Sequence, residues 1–117
     1  MVKFDRLIRT TLGEFLAKPT YTGPGIYIIA CYPSLGCLYI GISENIYERL
    51  LGHLDDPEDN MANFIRNTMG DSCGFRLDIL TCPEIELFEE WLIESERKLI
   101  QYFHPTFNTS GLGEQNE

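Results

Sequence analysis

Positive charge is scarce in this chain. Nine Lys and Arg stand against 18 Asp and Glu over 117 residues, a formal net charge of −9. A surface that holds nucleic acid by bulk positive charge is therefore excluded, and any such binding must rest on a local site or on a partner. Long apolar runs are missing too, because none approaches the roughly 20 residues that a spanning helix needs. The opening, Met1-Val2-Lys3-Phe4-Asp5-Arg6, has no apolar centre of the kind a secretory leader carries. These absences lead to the expectation of a soluble intracellular protein, cytoplasmic or nucleoid-associated, with no membrane partner. Cys31, Cys37, Cys73 and Cys82 contain no C-x₂₋₄-C pair, which argues against structural zinc. Free thiols are expected, with a Cys31–Cys37 bridge across a hairpin as the alternative. Without an internal repeat, low-complexity tract or linker, residues 1–117 are expected to form one domain.

What is present is patterned. The charge is uneven: residues 1–54 carry +1 and residues 55–117 carry −10, with acids gathered at 55–59 and 84–96. Those clusters read first as solvated loop and helix faces. Phe4, Leu7, Ile8, Leu12, Phe15 and Leu16 fall at helical spacing and predict an amphipathic helix over 4–17, ended by Pro19. Residues 26–32 and 37–41 are rich in β-branched and aromatic types and predict a hairpin turned by Pro33-Ser34-Leu35-Gly36. Helices are predicted at 45–54, capped by Ser43 or Asn45, at 58–69, and at 84–103 between Pro83 and Pro105. The alternation at 75–80 predicts a half-buried strand. The order α-ββ-αα-β-α gives a mixed α/β (α+β) fold, a small three-stranded, mainly antiparallel sheet flanked by helices.

Two features stand out from this pattern. On the last helix, Ile85, Phe88, Trp91, Leu92, Leu99 and Phe103 make an apolar arc, and Glu96 falls inside it. A carboxylate there must be paired, neutral or bound to a cation. Glu89 also comes near the arc, so periodicity does not single out Glu96, and a buried salt bridge is the plainer explanation. Arg49 and His53, at i and i+4, share one helix face; alone, such a pair is more often a wet surface feature.

The hairpin adds a third feature. Gly25-Ile26-Tyr27, eleven residues, then Tyr39-Ile40-Gly41 resembles the paired tripeptides of the GIY-YIG nucleases. The resemblance extends over about residues 23–108. Arg49 stands eight residues after Gly41, where the family has its helix arginine, and His53 stands where members carry Tyr or His. Glu96 resembles the metal-binding glutamate, and Pro105-Thr106-Phe107-Asn108 resembles the closing P-x-[FY]-N. Many members carry Lys after the second tripeptide, where this chain has Ile42.

The resemblance implies a metal-dependent DNA endonuclease hydrolysing phosphodiester bonds, with DNA as the partner; the acidic balance makes that binding weak or dependent on a protein partner. It implies one Mg²⁺ or Mn²⁺ on Glu96, Arg49 as a phosphate clamp, and Tyr27 or Tyr39 activating water, with Tyr27 favoured. His53 would relay a proton or contact phosphate, and Asn108 would fix local geometry. Gly25 and Gly41 also read as places of close backbone approach. Repair, recombination, restriction, homing and phage-type nucleases share such a domain. The alternatives are a non-catalytic protein- or nucleic-acid-binding module and a catalytic subunit dependent on a basic partner.

Overall fold

Thr11 divides the amino-terminal segment in two. Leu7–Thr11 is a strand (β1), and Leu12–Ala17 is a short helix (α1) whose first turn is capped by Thr11 Oγ1, which accepts from Glu14 N at 3.1 Å. The structure, a computed structural model, describes residues 2–31, 36–69 and 74–108, with the backbone alone at 68, 69 and 85. After α1 come β2 (Gly25–Cys31), β3 (Gly36–Ser43), α2 (Ile46–Asp55), α3 (Asn60–Met69), β4 (Arg76–Leu80) and α4 (Phe88–Phe103), with a 3₁₀ turn at Ile85–Leu87 before α4. Residues 32–35 of the expected hairpin, the end of its first strand and most of its turn, and Cys73 lie outside the described residues.

The sheet has four strands in the order β1-β4-β2-β3, and each neighbouring pair is antiparallel. The fourth strand corrects the helix expected over 4–17. Ile8, Thr10 and Thr11 are β-branched, which weakens a helix and suits a pleated strand. β4 offers them an open edge, with Leu7 opposite Leu80 and Thr11 opposite Arg76. Pairing across the sheet thus overrides a local helical spacing. Helix begins only after Thr11, where a side-chain oxygen is available to cap it.

Helices cover both sheet faces. On one, Leu12 and Phe15 of α1, Ile46 and Leu50 of α2, and Met61 and Ile65 of α3 pack with Tyr27, Ile29, Leu77 and Ile79. On the other, Leu92, Leu99 and Ile100 of α4 pack with Ile26, Ile28, Ile40 and Leu80. Each such aliphatic side chain contributes about 1.5–3 kcal/mol when taken fully from water. Among the described residues, no helix is long and apolar enough to cross a membrane. Cys31, Cys37 and Cys82 are free thiols, so the Cys31–Cys37 bridge is not formed. Burial pushes the Cys37 thiol up to about 11.

β3 departs from a regular ladder at one point. Ile29 faces Tyr39 and Ala30 faces Cys37, which leaves Leu38 without a cross-strand partner. The bulge turns Leu38 and Tyr39 toward the same core. At the other end of the chain, His104 ends α4 in the left-handed conformation (φ 49°), and Pro105 prevents its continuation. Residues 106–108 then run beside β3. Thr106 N donates to Cys37 O at 3.3 Å and Phe107 N to Leu38 O at 2.8 Å. Asn108 completes the contact with both halves of its amide: Oδ1 accepts from Ile40 N at 2.7 Å, and Nδ2 donates to Ile40 O at 2.6 Å.

Candidate active site

The paired tripeptides hold two tyrosines on one sheet face. Tyr27 on β2 lies opposite Gly41 on β3, and Tyr39 precedes Gly41 by two residues, so it shares that face. The ring centroids of Tyr27 and Tyr39 are 6.0 Å apart. Both glycines are required by contact. A Cβ on Gly41 would fall 2.3 Å from Tyr27 Cζ, and one on Gly25 would fall 2.6 Å from the carbonyl oxygen of Leu80. Ile26 and Ile40, the middle residues of the tripeptides, point the other way into the α4 core and are structural.

α2 begins at Asn45, whose Oδ1 accepts from Glu48 N at 3.1 Å; of the two expected caps, Asn45 is the one used. Ile46 and Leu50 bury one stripe of this helix and so fix its rotation. That rotation brings Arg49 and His53, one turn apart, to the tyrosines. The Arg49 guanidinium stands beside the hydroxyls of Tyr27 and Tyr39, where its charge opposes the effect of burial on both. His53 stands edge-on to Tyr39, with ring centroids 5.2 Å apart, and its Nε2 is 3.1 Å from the Tyr27 hydroxyl. The pair that looked like a wet surface feature is a junction between helix and sheet.

The two tyrosines differ in access. Tyr27 has 0% of its surface exposed, whereas Tyr39 is half-buried. Burial pushes both hydroxyls above the usual phenol range. At Tyr27 the neighbouring Tyr39 adds to this, while Arg49 opposes it at both. Tyr27, the tyrosine favoured from sequence, is thus closed to solvent, while Tyr39 keeps part of its surface open.

Glu96 enters from α4, the layer on the opposite side of the sheet. It is half-buried, while Glu89, Glu90, Glu94 and Arg97 are exposed, so the structure separates Glu96 from Glu89 where periodicity did not. Its negative charge is among those that act on the Tyr39 hydroxyl. Asn108 does not contact these side chains through any described hydrogen bond. Instead it is 3% exposed and holds the backbone of Ile40, between Tyr39 and Gly41.

Asp59 is the residue that sequence reasoning missed. It belongs to the acidic run 55–59, which reads as solvated loop, yet its side chain is only 15% exposed. Oδ2 meets His53 Nδ1, and Oδ1 accepts from Ala62 N at 3.0 Å, capping α3. Burial alone would raise this carboxyl, but hydrogen bonds from His53 and from the N–H groups of Ala62 and Met61 hold it below its usual value. The available signal was positional: an Asp directly before a helix, in Asp59-Asn60-Met61-Ala62, is an N-cap and not a free acid.

Among the described residues, no three His, Cys, Asp or Glu side chains gather as a metal cage. A cation at this place would have Glu96 as its carboxylate ligand, and water or phosphate oxygens would complete its shell. That donor set fits Mg²⁺ or Mn²⁺ and does not fit structural Zn²⁺. No protein-family model and no curated protein matches this chain.

Proposed function

We propose that this protein is a metal-dependent DNA endonuclease of the GIY-YIG type. The observation that carries the reading is the meeting of Arg49 with the hydroxyls of Tyr27 and Tyr39, within reach of the Glu96 charge. Phosphodiester hydrolysis needs an oriented water, a counter-charge for the anionic transition state, and help for the leaving oxygen. Arg49 is exposed apart from its contacts with the tyrosines, and its planar fork matches two phosphate oxygens. Tyr39, the tyrosine that keeps access to solvent, orients the attacking water, while buried Tyr27 holds Arg49 and His53 in place. Glu96 holds Mg²⁺ or Mn²⁺, and the bound cation supplies charge stabilisation and a more acidic water.

The −9 charge shapes the partner. DNA is held at the site and not by the whole surface, so affinity is weak, or a basic protein partner raises it. Such a substrate places the protein inside the cell, in the cytoplasm or at the nucleoid. The same charge favours a second reading, a non-catalytic binding module on this fold. Cleavage of supercoiled, linear and branched DNA with Mg²⁺ or Mn²⁺ separates the two, with E96A as control. Cutting by the wild type alone supports the nuclease; no cutting by either at low salt and high protein supports the module or a nuclease that needs its basic partner.

A further inference from the structure

The hydrogen bonds around Tyr27 have a direction, set by their ends. Arg49 has N–H donors and no acceptor, so toward the Tyr27 oxygen beside it the guanidinium can only donate. An ionised carboxylate has acceptors and no donor, so Asp59 accepts from His53 Nδ1. The proton of a neutral His53 is then on Nδ1, and Nε2 is left as an acceptor. The Tyr27 hydroxyl, 3.1 Å away, gives its hydrogen to Nε2 and keeps its lone pairs for Arg49.

We propose that Asp59 is a positioning residue of this site, which fixes the tautomer of His53 and through it turns the Tyr27 hydroxyl so that Tyr27 holds the Arg49 guanidinium. With the imidazole reversed, Nε2–H would point at the Tyr27 oxygen and compete with Arg49 for it. Asp59 thereby ties the start of α3 to a guanidinium on α2. As a contribution to catalysis, the inference rests on the nuclease reading; as an order of hydrogen bonds, it does not.

The test uses the full chain and the variant D59N. Asparagine keeps an oxygen to cap Ala62 N–H, and asparagine is as good a cap as aspartate. Its NH₂ then faces His53 Nδ1 and drives the proton to Nε2. The ¹⁵N resonances of the imidazole report the tautomer without metal or DNA, and H104N removes the signal of the chain's other histidine. The expected result is Nδ1–H in the otherwise wild-type chain and Nε2–H in D59N. D59N should also lose about tenfold or more in kcat, with little change in KM. An Nε2–H tautomer without the D59N change overturns the proposal, and so does a D59N protein that keeps the tautomer or the rate. If wild type shows the Nδ1–H form but cuts no DNA, the hydrogen-bond order stands and the reading of the isolated chain as a nuclease fails.

Discussion

The ring of Tyr27 occupies the space that a side chain on Gly41, its cross-strand partner, would need. Cζ, the hydroxyl oxygen and Cε1 of Tyr27 would lie 2.3, 2.4 and 2.8 Å from a Cβ at position 41. The two tripeptides are thus one packing unit, in which the glycine of one strand makes room for the tyrosine of the other. A G41A protein must displace a ring that is closed in on all sides. Such overpacking costs about 1–3 kcal/mol, to be read as a lower urea midpoint. DNA cleavage should fall in parallel, because the tyrosine that moves is the one holding Arg49. A G41A chain of wild-type stability would mean that Tyr27 yields at little cost.

Glu96 and Arg49 are expected to fail in different ways. E96A should abolish metal-dependent cleavage while leaving the far-UV circular dichroism spectrum unchanged, since Glu96 lies at the rim of the α4 core. R49K keeps the charge but loses the planar fork that matches two phosphate oxygens. A loss of roughly 10²–10³-fold in kcat is expected for such a stabilising donor, and a R49K rate near that of the wild type would remove the clamp from the mechanism.

The tyrosines should separate by access. Y39F is expected to lower kcat more than Y27F, because Tyr39, unlike Tyr27, keeps surface open to solvent. Equal losses would indicate that the two hydroxyls act as one unit.

Acid and alkali should each weaken the fold through a named group. The Asp59 carboxyl is held below its unfolded value of about 3.8. Its contribution is therefore present above about pH 4 and is lost as pH falls through the lower folded value. The stability difference between wild type and D59N should shrink across that window, as measured by urea midpoints. Tyr27 shifts the other way. Its hydroxyl lies well above the ordinary value of 10, chiefly through burial, so the folded state loses stability as pH rises above about 10 and the unfolded chain ionises. Y27F should flatten this alkaline decline, and an unchanged slope would assign it to other groups.

Asn108 is expected to matter for stability before chemistry. N108A leaves the N–H and C=O of Ile40 without their partners, at about 1–3 kcal/mol for each buried group left unsatisfied. N108D keeps an acceptor for Ile40 N but loses the donor to Ile40 O, so it should also be destabilised. A chain unaffected by N108A would show that the 106–108 segment contributes little to the hold on β3.

Much of this arrangement was legible in the chain because it is local. The hairpin, α2, β4 and the long last helix are written in short-range apolar spacing and in stops such as Pro83 and Pro105. β1 was not legible, because Leu7–Thr11 has helical spacing and becomes a strand only where β4 offers an edge. Glu96 could be placed inside an apolar arc, but not chosen over Glu89 near it, until the packing of α4 fixed its rotation. The contact between His53 and Asp59 was hidden because it crosses from one helix to the cap of the next, and an acid in an acidic run looks solvated. The difference in burial between Tyr27 and Tyr39 depends on three layers at once, which no spacing within one strand encodes.

The hold of residues 106–108 on β3 bears on how the molecule is made. β3 is an outer strand of the sheet, and the backbone groups of Cys37, Leu38 and Ile40 that face away from β2 find their partners only in this late segment. During synthesis, the strand carrying Tyr39 and Gly41 emerges more than sixty residues before the segment that seals it. A chain shortened to end before residue 105 presents that edge uncovered, and an uncovered edge is a template for a second chain. Such a truncated product should assemble through β3, whereas residues 106–108 of the longer chain occupy that edge at Cys37, Leu38 and Ile40.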